Sequence, residues 1–228
     1  HLHPDDTVRV QGLETIEPAY EGHFDLITSN IPFGDVSLFD PAFSSSRDPV
    51  RRQGAWAIHN YFFMKSVDLV RAGGLIAFIT SQGMADAERN RPVREWLMER
   101  GDLVAAVRLP NNLFTDHAGT EVGSDLIVLQ KNSAARPLSE RQRDFIETRT
   151  LSNGITVNNS FRSLDRVVQT SAKVGTNPYG KPAMEFTHAG GVEGIARALA
   201  DMLAEDMERH FNRELYESHA PKTAPRQY

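Results

Sequence analysis

Phe24-Asp25-Leu26-Ile27-Thr28-Ser29-Asn30-Ile31-Pro32-Phe33-Gly34 is the stretch on which the reading of this chain turns. A short apolar run with β-branched residues predicts a buried strand, and the run stops abruptly at Asn-Ile-Pro-Phe-Gly. Proline fixes φ and removes a backbone donor, and Gly34 admits a positive φ, so the chain must turn there. Within four residues the turn presents an amide side chain, a carbonyl on Ile31 and an aromatic ring. In an open α/β sheet, ligands bind just beyond the carboxyl ends of strands, which is where Asn30 and Phe33 fall. The chemistry that fits is the handling of a planar base with an exocyclic amine. The Asn30 side-chain oxygen and the Ile31 carbonyl can accept both hydrogens of an NH₂ group, drawing them out of the ring plane and localising the nitrogen lone pair. Phe33 offers a face on which an extruded base can stack. An ordinary Asn-x-Pro turn at a strand end accounts for the same tetrapeptide, so its surroundings must decide.

At 228 residues the chain can bury one core with a small appended unit. Hydrophobic content of 40% and charged content of 24% are ordinary for a globular protein. No apolar run approaches a membrane span, and no stretch reads as a secretory signal. The absence of cysteine excludes disulfides and thiolate metal sites and fits a cytoplasmic setting. A formal net charge of −5 argues against gripping nucleic acid by bulk charge. Phosphate contacts must then come from local basic residues or from another domain.

Outward from the turn, Thr7-Val8-Arg9-Val10-Gln11 alternates like a strand, with Gly12-Leu13-Glu14 at its end. The opening His1-Leu2-His3-Pro4-Asp5-Asp6 is turn-like, lacks an initiator Met, and does not look like a natural start; its two histidines carry no metal assignment. Residues 34–57 lack a regular pattern, and an irregular stretch of roughly two dozen residues is uncommon inside a domain unless functional. It contains Arg47 and runs into Arg51-Arg52, so it either closes over a base and contacts phosphate or is a solvated insertion. Ile58, Phe62, Leu69 and Val70 fall at helical spacing over residues 58–71, with Gly73-Gly74 as the stop. Leu75-Ile76-Ala77-Phe78-Ile79-Thr80 predicts a strand buried on both faces. Pro92, Trp96, Leu97 and Gly101 delimit a helix, and Leu103–Leu109 and Leu126–Leu129 are two more strands. Alternating strands and helices predict α/β layers with mostly parallel strands. The last two strands have no helix between them, so an antiparallel hairpin is expected at one sheet edge.

Asn30-Ile31-Pro32-Phe33 resembles the Asn-Pro-Pro-Tyr/Phe signature of amino-methyltransferases, chiefly DNA adenine-N6 methyltransferases that use S-adenosylmethionine. It departs at the second position, where Ile31 replaces a proline; that position contributes its carbonyl, so the chemistry tolerates the change. A longer resemblance, to the modification subunits of type I restriction systems, is carried in order by Gly73-Gly74-Leu75-Ile76-Ala77-Phe78-Ile79-Thr80-Ser81, Arg94-Glu95-Trp96-Leu97, Val107-Arg108-Leu109-Pro110-Asn111-Asn112-Leu113-Phe114, Gly119-Thr120 and Asp125–Lys131. The Asn-Ile-Pro-Phe-Gly variant is similar to DNA methylases of conjugative elements and phages, some fused to helicase regions. The resemblance covers about residues 7–131. It implies an α/β fold: a partial class I S-adenosylmethionine-dependent (Rossmann-like) sheet with an antiparallel hairpin at one edge, plus an extension ending in a long helix. It also implies Asn30 and Ile31 as amine acceptors, Pro32 as the rigid bend, Phe33 as the stacking face, Leu13 and Glu14 beside the cofactor, and Arg47, Arg51 and Arg52 towards DNA. The implied partners are double-stranded DNA with a flipped adenine and further domains of the same polypeptide. The implied setting is the bacterial cytoplasm, in restriction-modification or a mobile element, with no membrane and no metal. The family's Gly-rich cofactor loop and acidic ribose ligand do not occur in the 23 residues before Phe24. The chain is therefore expected to be the C-terminal part of a methyltransferase domain, inactive alone and a poor binder of S-adenosylmethionine.

The expected organisation is a catalytic part over 1–132, an extension of mixed structure over 133–190, an amphipathic helix over 191–217 and a disordered tail over 218–228. The helix rests on a stripe of Val192, Ile195, Ala196, Leu199, Met202, Leu203, Met207, Phe211 and Leu215. In the extension, Glu140-Arg141-Gln142-Arg143 begins a short helix, Ile155–Asn159 suggests a strand or turn, and Tyr179–Phe186 a turn into a strand. Asp102 and Asp125 sit at strand starts, the end of a parallel sheet away from a site, and His59 and His117 read as capping or surface residues. No nucleophile elbow, His-Glu-x-x-His or Walker loop occurs. Two functions of different class remain: an adenine-N6 DNA methyltransferase, or a non-catalytic module that recognises DNA or assembles a larger methylase–helicase protein. A third keeps the fold and changes the acceptor to cytosine N4, RNA or a glutamine amide.

Overall fold

Leu75-Ile76-Ala77-Phe78-Ile79 is apolar at both parities, the pattern of a strand covered on two faces, and it forms the middle of β2 (Val70–Ser81). The structure, a computed structural model, describes residues 8–16, 18–32, 34, 36–114, 123–176, 180 and 182–220. Expectations placed on His1, His3, Thr7, Phe33, His117, Gly119, Thr120, Tyr179 and residues 221–228 lie outside these. β1 (Phe24–Asn30) pairs with β2 in parallel, ending at Asn30 opposite Ile79. On the other side of β2 lies β4 (Ser124–Lys131), antiparallel, and beyond it β3 (Gly101–Leu109), antiparallel to β4. The order β1-β2-β4-β3 gives the α/β sheet with an antiparallel hairpin at one edge that the alternation predicts.

One face of the sheet is packed by α3 (Ile58–Leu69), the short α4 (Gly83–Asp86) and α5 (Arg91–Met98), whose Tyr61, Phe63, Met64, Met84, Trp96 and Leu97 join Ile76, Phe78 and Ile127 in the main core. Phe145, Ile146, Ile155, Val157 and Phe161 lie in that same core. They come from α6 (Glu140–Ile146), from the connection between β5 (Thr148–Thr150) and β6 (Thr156–Asn158), from β6 itself and from the turn after it. A capping box closes α6: Ser139 accepts from the Gln142 N–H, and the Gln142 side chain accepts from the Ser139 N–H. The other face is covered by α7 (Gly191–His210), through Ile195, Leu199, Met202, Leu203 and Met207. Ala196 is exposed and Ala198 packs in its place. β7 (Ser171–Thr176) and β8 (Pro182–Thr187) form a separate hairpin.

Several expectations need correction. Val8-Arg9-Val10-Gln11 is not a strand: it pairs with nothing in the sheet, and Val8 and Val10 are exposed. β1 is not buried but an edge strand; Leu26 is 53% exposed because no element covers that corner of the second face among the described residues. Gly73-Gly74 does not stop a helix. α3 ends at Leu69, and the glycines form an irregularity inside β2, where Val70 to Leu75 is matched by Phe24 to Leu26 on β1. Gly73 has φ +75°, and a Cβ there would lie 2.4 Å from the Leu215 carbonyl oxygen. The terminal helix is not continuous over 191–217. It breaks at Asn212, whose N–H donates to the Gln130 side chain and whose carbonyl accepts from it, both at 2.9 Å. The Asn212 side chain then caps α8 (Arg213–Ser218).

Residues 34–57 carry more order than a patternless loop. Asp40 and Asp48 each cap a short helix with proline at its first position: α1 (Pro41–Ser44) and α2 (Pro49–Gly54). Asp40 is buried and also accepts from the Tyr61 hydroxyl at 2.7 Å and from Lys65 at 3.2 Å. Burial by itself would raise its carboxyl, but the Tyr61, Ala42 and Lys65 interactions outweigh that and hold it below the ordinary 3.8.

Gly73→Ala should destabilise the fold by at least about 1–2 kcal/mol from the left-handed backbone alone, and should expose Arg213 to trypsin by displacing α8; an unchanged melting temperature and cleavage pattern would contradict the close approach. Asp40→Asn should lower stability at pH 7 by about 1–2 kcal/mol. A carboxyl held low in the fold contributes fully above 3.8 and loses its contribution as pH falls through the folded value. The melting-temperature gap between wild type and Asp40→Asn should therefore narrow below that pH; a pH-independent gap would refute the charge's role.

Candidate active site at the exit of strand β1

Asn30 is the last residue of β1 and is exposed. Its carboxamide makes no hydrogen bond among the described residues. Ile31 follows with the opposite character: its side chain is 1% exposed in the main core, and its N–H donates to the Ile79 carbonyl at 2.9 Å. No donor among the described residues reaches the Ile31 carbonyl. Pro32 is exposed, and Gly34 has φ +146°. The turn thus offers two oxygen acceptors on adjacent residues, one on a side chain and one on a backbone anchored by packing and by a sheet rung. Phe33 lies outside the described residues.

Behind this exit the ends of β2, β4 and β3 place Thr80, Asp125 and Arg108 side by side. Asp125 opens a strand, yet it lies at the site end of the sheet because β4 runs antiparallel, which corrects the expectation that rests on parallel strands. It does not face substrate: it is wholly buried and grips Arg108 through two bonds of 2.9 and 3.1 Å. Arg108 also donates to Asp86 at 2.9 Å and lies 4.1 Å over the Phe161 ring. Burial opposes the charge on Arg108, but the two carboxylates dominate and raise it; burial raises the Asp125 carboxyl against the pull of Arg108. We take the pair as ionic, since its geometry is bidentate.

His59 is a second correction. It is not at the surface but buried near the start of α3, its Nε2 3.3 Å from the side-chain nitrogen of Asn90. Asn60 donates to Asn90 at 2.9 Å, and Asn90 donates to the Gly83 carbonyl at 2.7 Å. Asn60 Oδ1, Thr80 Oγ1 and Ser124 Oγ are buried without partners among the described residues. They sit at the strand ends and helix start that flank the turn. After β3, Asn111 accepts from the Phe186 N–H and Asn112 from the His188 N–H, at 2.9 and 3.1 Å. The Leu-Pro-Asn-Asn segment therefore holds β8 over the same end of the sheet. Sequence reasoning missed these clamps; polar residues directly after a strand were their signal.

The residues expected to contact DNA divide. Arg47 is exposed. Arg51 is engaged with Asp68 in a bidentate pair of 2.9 and 2.7 Å and lies 4.2 Å over Phe43. Arg52 is exposed and donates to the Ser46 carbonyl at 2.6 Å. Leu13 and Glu14 lie on a single 3₁₀ turn (Leu13–Thr15), with Leu13 packed on the core. The Thr15 and Ile16 N–H groups are used on the Gly12 and Leu13 carbonyls. Among the described residues no group of three or more His, Asp or Glu could hold a metal, and no helix is long and apolar enough to cross a membrane.

Solved structures with a similar arrangement include a protein of Listeria monocytogenes assigned as a class I S-adenosylmethionine-dependent methyltransferase, at 18% identity, TM-score 0.40, covering 51% of this chain and 34% of that one. A modification subunit assigned to a type I restriction enzyme of Vibrio vulnificus matches at 13% identity, TM-score 0.41, covering 77% and 39%. The M protein of the type I restriction enzyme EcoKI matches at 12% identity, TM-score 0.38, covering 88% and 51%. The chain thus spans between a third and about half of these proteins. No curated protein matches. The N-6 DNA methylase family matches residues 2–196, and the chain belongs to that family.

Proposed function

We propose that the exit of β1 is the base-handling centre of an adenine-N6 DNA methyltransferase. The observation that supports it most is the pairing at Asn30 and Ile31: an exposed carboxamide without a partner beside a carbonyl whose residue is fixed in the core. Asn30 Oδ1 accepts one hydrogen of the adenine amine and the Ile31 carbonyl the other. The amine nitrogen then keeps its lone pair out of the ring and points it at the methyl donor. Pro32 holds the bend, and Phe33 stacks on the base once it has left the duplex. Positioning of this kind needs no strong base, because alignment supplies much of the barrier reduction. The surplus proton leaves to water after transfer.

S-adenosylmethionine is the donor implied by the family, and its chemistry is a methyl group on a sulfonium. The residues present do not fit its whole grip: Leu13 and Glu14 lie on one three-residue 3₁₀ turn with a single carboxylate, and no Gly-rich loop stands among the residues before Phe24 to hold the methionine end. We infer that Leu13 and Glu14 flank the adenosine end at most, and that this 228-residue chain binds S-adenosylmethionine weakly. Arg47 and Arg52 serve phosphate, while Arg51 holds α2 to α3 through Asp68. A second reading, a non-catalytic DNA-recognition or assembly module of a larger methylase–helicase protein, is favoured by the net charge of −5 together with this poor cofactor fit.

In a methylation-competent form of the protein, Asn30→Ala should cut transfer to adenine-containing duplex by on the order of 10²–10³, with little change in melting temperature; retained transfer would defeat the assignment. Duplex lacking adenine should accept no methyl groups, which separates adenine from cytosine as acceptor. Calorimetric titration of the 228-residue chain with S-adenosylmethionine should show no micromolar site. A tight isotherm would mean that the cofactor fit has been misjudged.

A further inference from the structure

The segment that leads from the turn to α3 pushes large apolar side chains into solvent. Phe39 is 76% and Trp56 71% exposed. The two are neighbours: the Leu38 N–H donates to the Ala55 carbonyl at 2.9 Å, and each aromatic residue follows one partner of that bond. Neither is on loose chain. Asp40, next to Phe39, is buried and locked by Ala42, Tyr61 and Lys65. The Trp56 N–H closes on the Gln53 carbonyl at 3.0 Å, and α3 begins two residues later. Aromatic rings held out of a core on anchored backbone mark a contact surface.

The charge around them says what they contact. The segment's described carboxylates turn inward: Asp40 into the core, and Asp48 onto the Val50 N–H and the Trp96 indole N–H, both at 2.8 Å. Its exposed charged residues are Arg47 and Arg52. The described residues of the segment therefore show solvent a positive, aromatic surface on a protein whose net charge is −5. A ligand with flat faces and an anionic backbone matches both features.

We propose that Phe39 and Trp56 form a stacking platform for unpaired nucleobases of DNA, with Arg47 and Arg52 on the flanking phosphates. This rests on reading the β1 exit as the base-handling centre, to which the segment is joined through Gly34. An adenine that leaves its duplex leaves neighbouring bases short of a stacking partner, and the two exposed rings replace it.

The test is a titration of the 228-residue chain, at low salt, with an oligodeoxyadenylate of about a dozen nucleotides and with an abasic deoxyribose-phosphate oligomer of the same length. Trp56 fluorescence should be quenched by the base-bearing oligomer and not by the abasic one. Phe39→Ala/Trp56→Ala should weaken binding of the base-bearing oligomer by about tenfold or more, with an unchanged melting temperature because both rings are exposed. Trp56→Phe should keep the affinity and lose the quench, and Arg47→Ala/Arg52→Ala should flatten the salt dependence. Equal affinity for the two oligomers, undiminished binding by the double aromatic variant, or no binding at all would each overturn the platform. If Asn30→Ala keeps full methylation while the quench persists, the catalytic reading falls and the platform stands. Loss of methylation without base-dependent binding would remove the platform and leave the catalytic reading in place.

Discussion

The ladder between β1 and β2 is the constraint on which the site depends. Among the described residues β1 has no other strand neighbour, so its exit is located by the rungs from Leu26↔Leu75 to Asn30↔Ile79 and by the Ile31 N–H on the Ile79 carbonyl. A strand cannot slide by one residue without turning every side chain to the opposite face. Ile31 is thereby committed to the core and Asn30 to solvent, and the Asn30 backbone and the Ile31 carbonyl keep a fixed relation. β2 can impose this because β4 binds its other edge over Leu75–Ser81.

The second half of the chain serves the same end of the sheet. Asp86 takes the Arg108 guanidinium and the Asn158 N–H, while Asn158 donates to the Ala85 and Phe145 carbonyls. Arg94, wholly buried, donates to the Met84, Ala87 and Ile146 carbonyls, and burial lowers its guanidinium to about 10. These bonds tie the loop after β2 to the extension after residue 132. Buried ionic pairs contribute little net stability against well-packed apolar groups, but removing one member leaves an uncompensated charge. Their role here is to specify one arrangement. The free edge of β3 is finished in a similar way: Arg141 and Arg166 donate to the Leu103, Val104 and Ala106 carbonyls, where a neighbouring strand would otherwise be needed.

What is legible in the sequence is what periodicity and breakers encode. The strand after Gly74, the helix from Pro92 and the hairpin of the last two strands follow from apolar runs and the lack of an intervening helix. The position of Asn30 at a strand exit follows from Pro32 and Gly34. The exposure of β1 is not legible, because an apolar run looks alike in an edge strand and a central one. Asp125 is misplaced by sequence alone because strand direction, not sequence position, decides which end of a sheet a residue occupies. Arg51 shows that a basic residue in an irregular stretch can be claimed by a distant carboxylate, Asp68, that only folding brings near. Asp40-Pro41 and Asp48-Pro49 are readable helix starts, and they are what make the segment after the turn a firm scaffold.

The central claim is that two neighbouring oxygens read an amine. The most direct measurement compares binding of DNA carrying adenine at the target position with DNA carrying purine, which lacks the exocyclic NH₂, for wild type and Asn30→Ala. A site built to hydrogen-bond an amine rejects the analogue without it, so wild type should prefer adenine by at least about tenfold. That preference should collapse in Asn30→Ala. A preference that survives the substitution intact would show that the amine is recognised elsewhere.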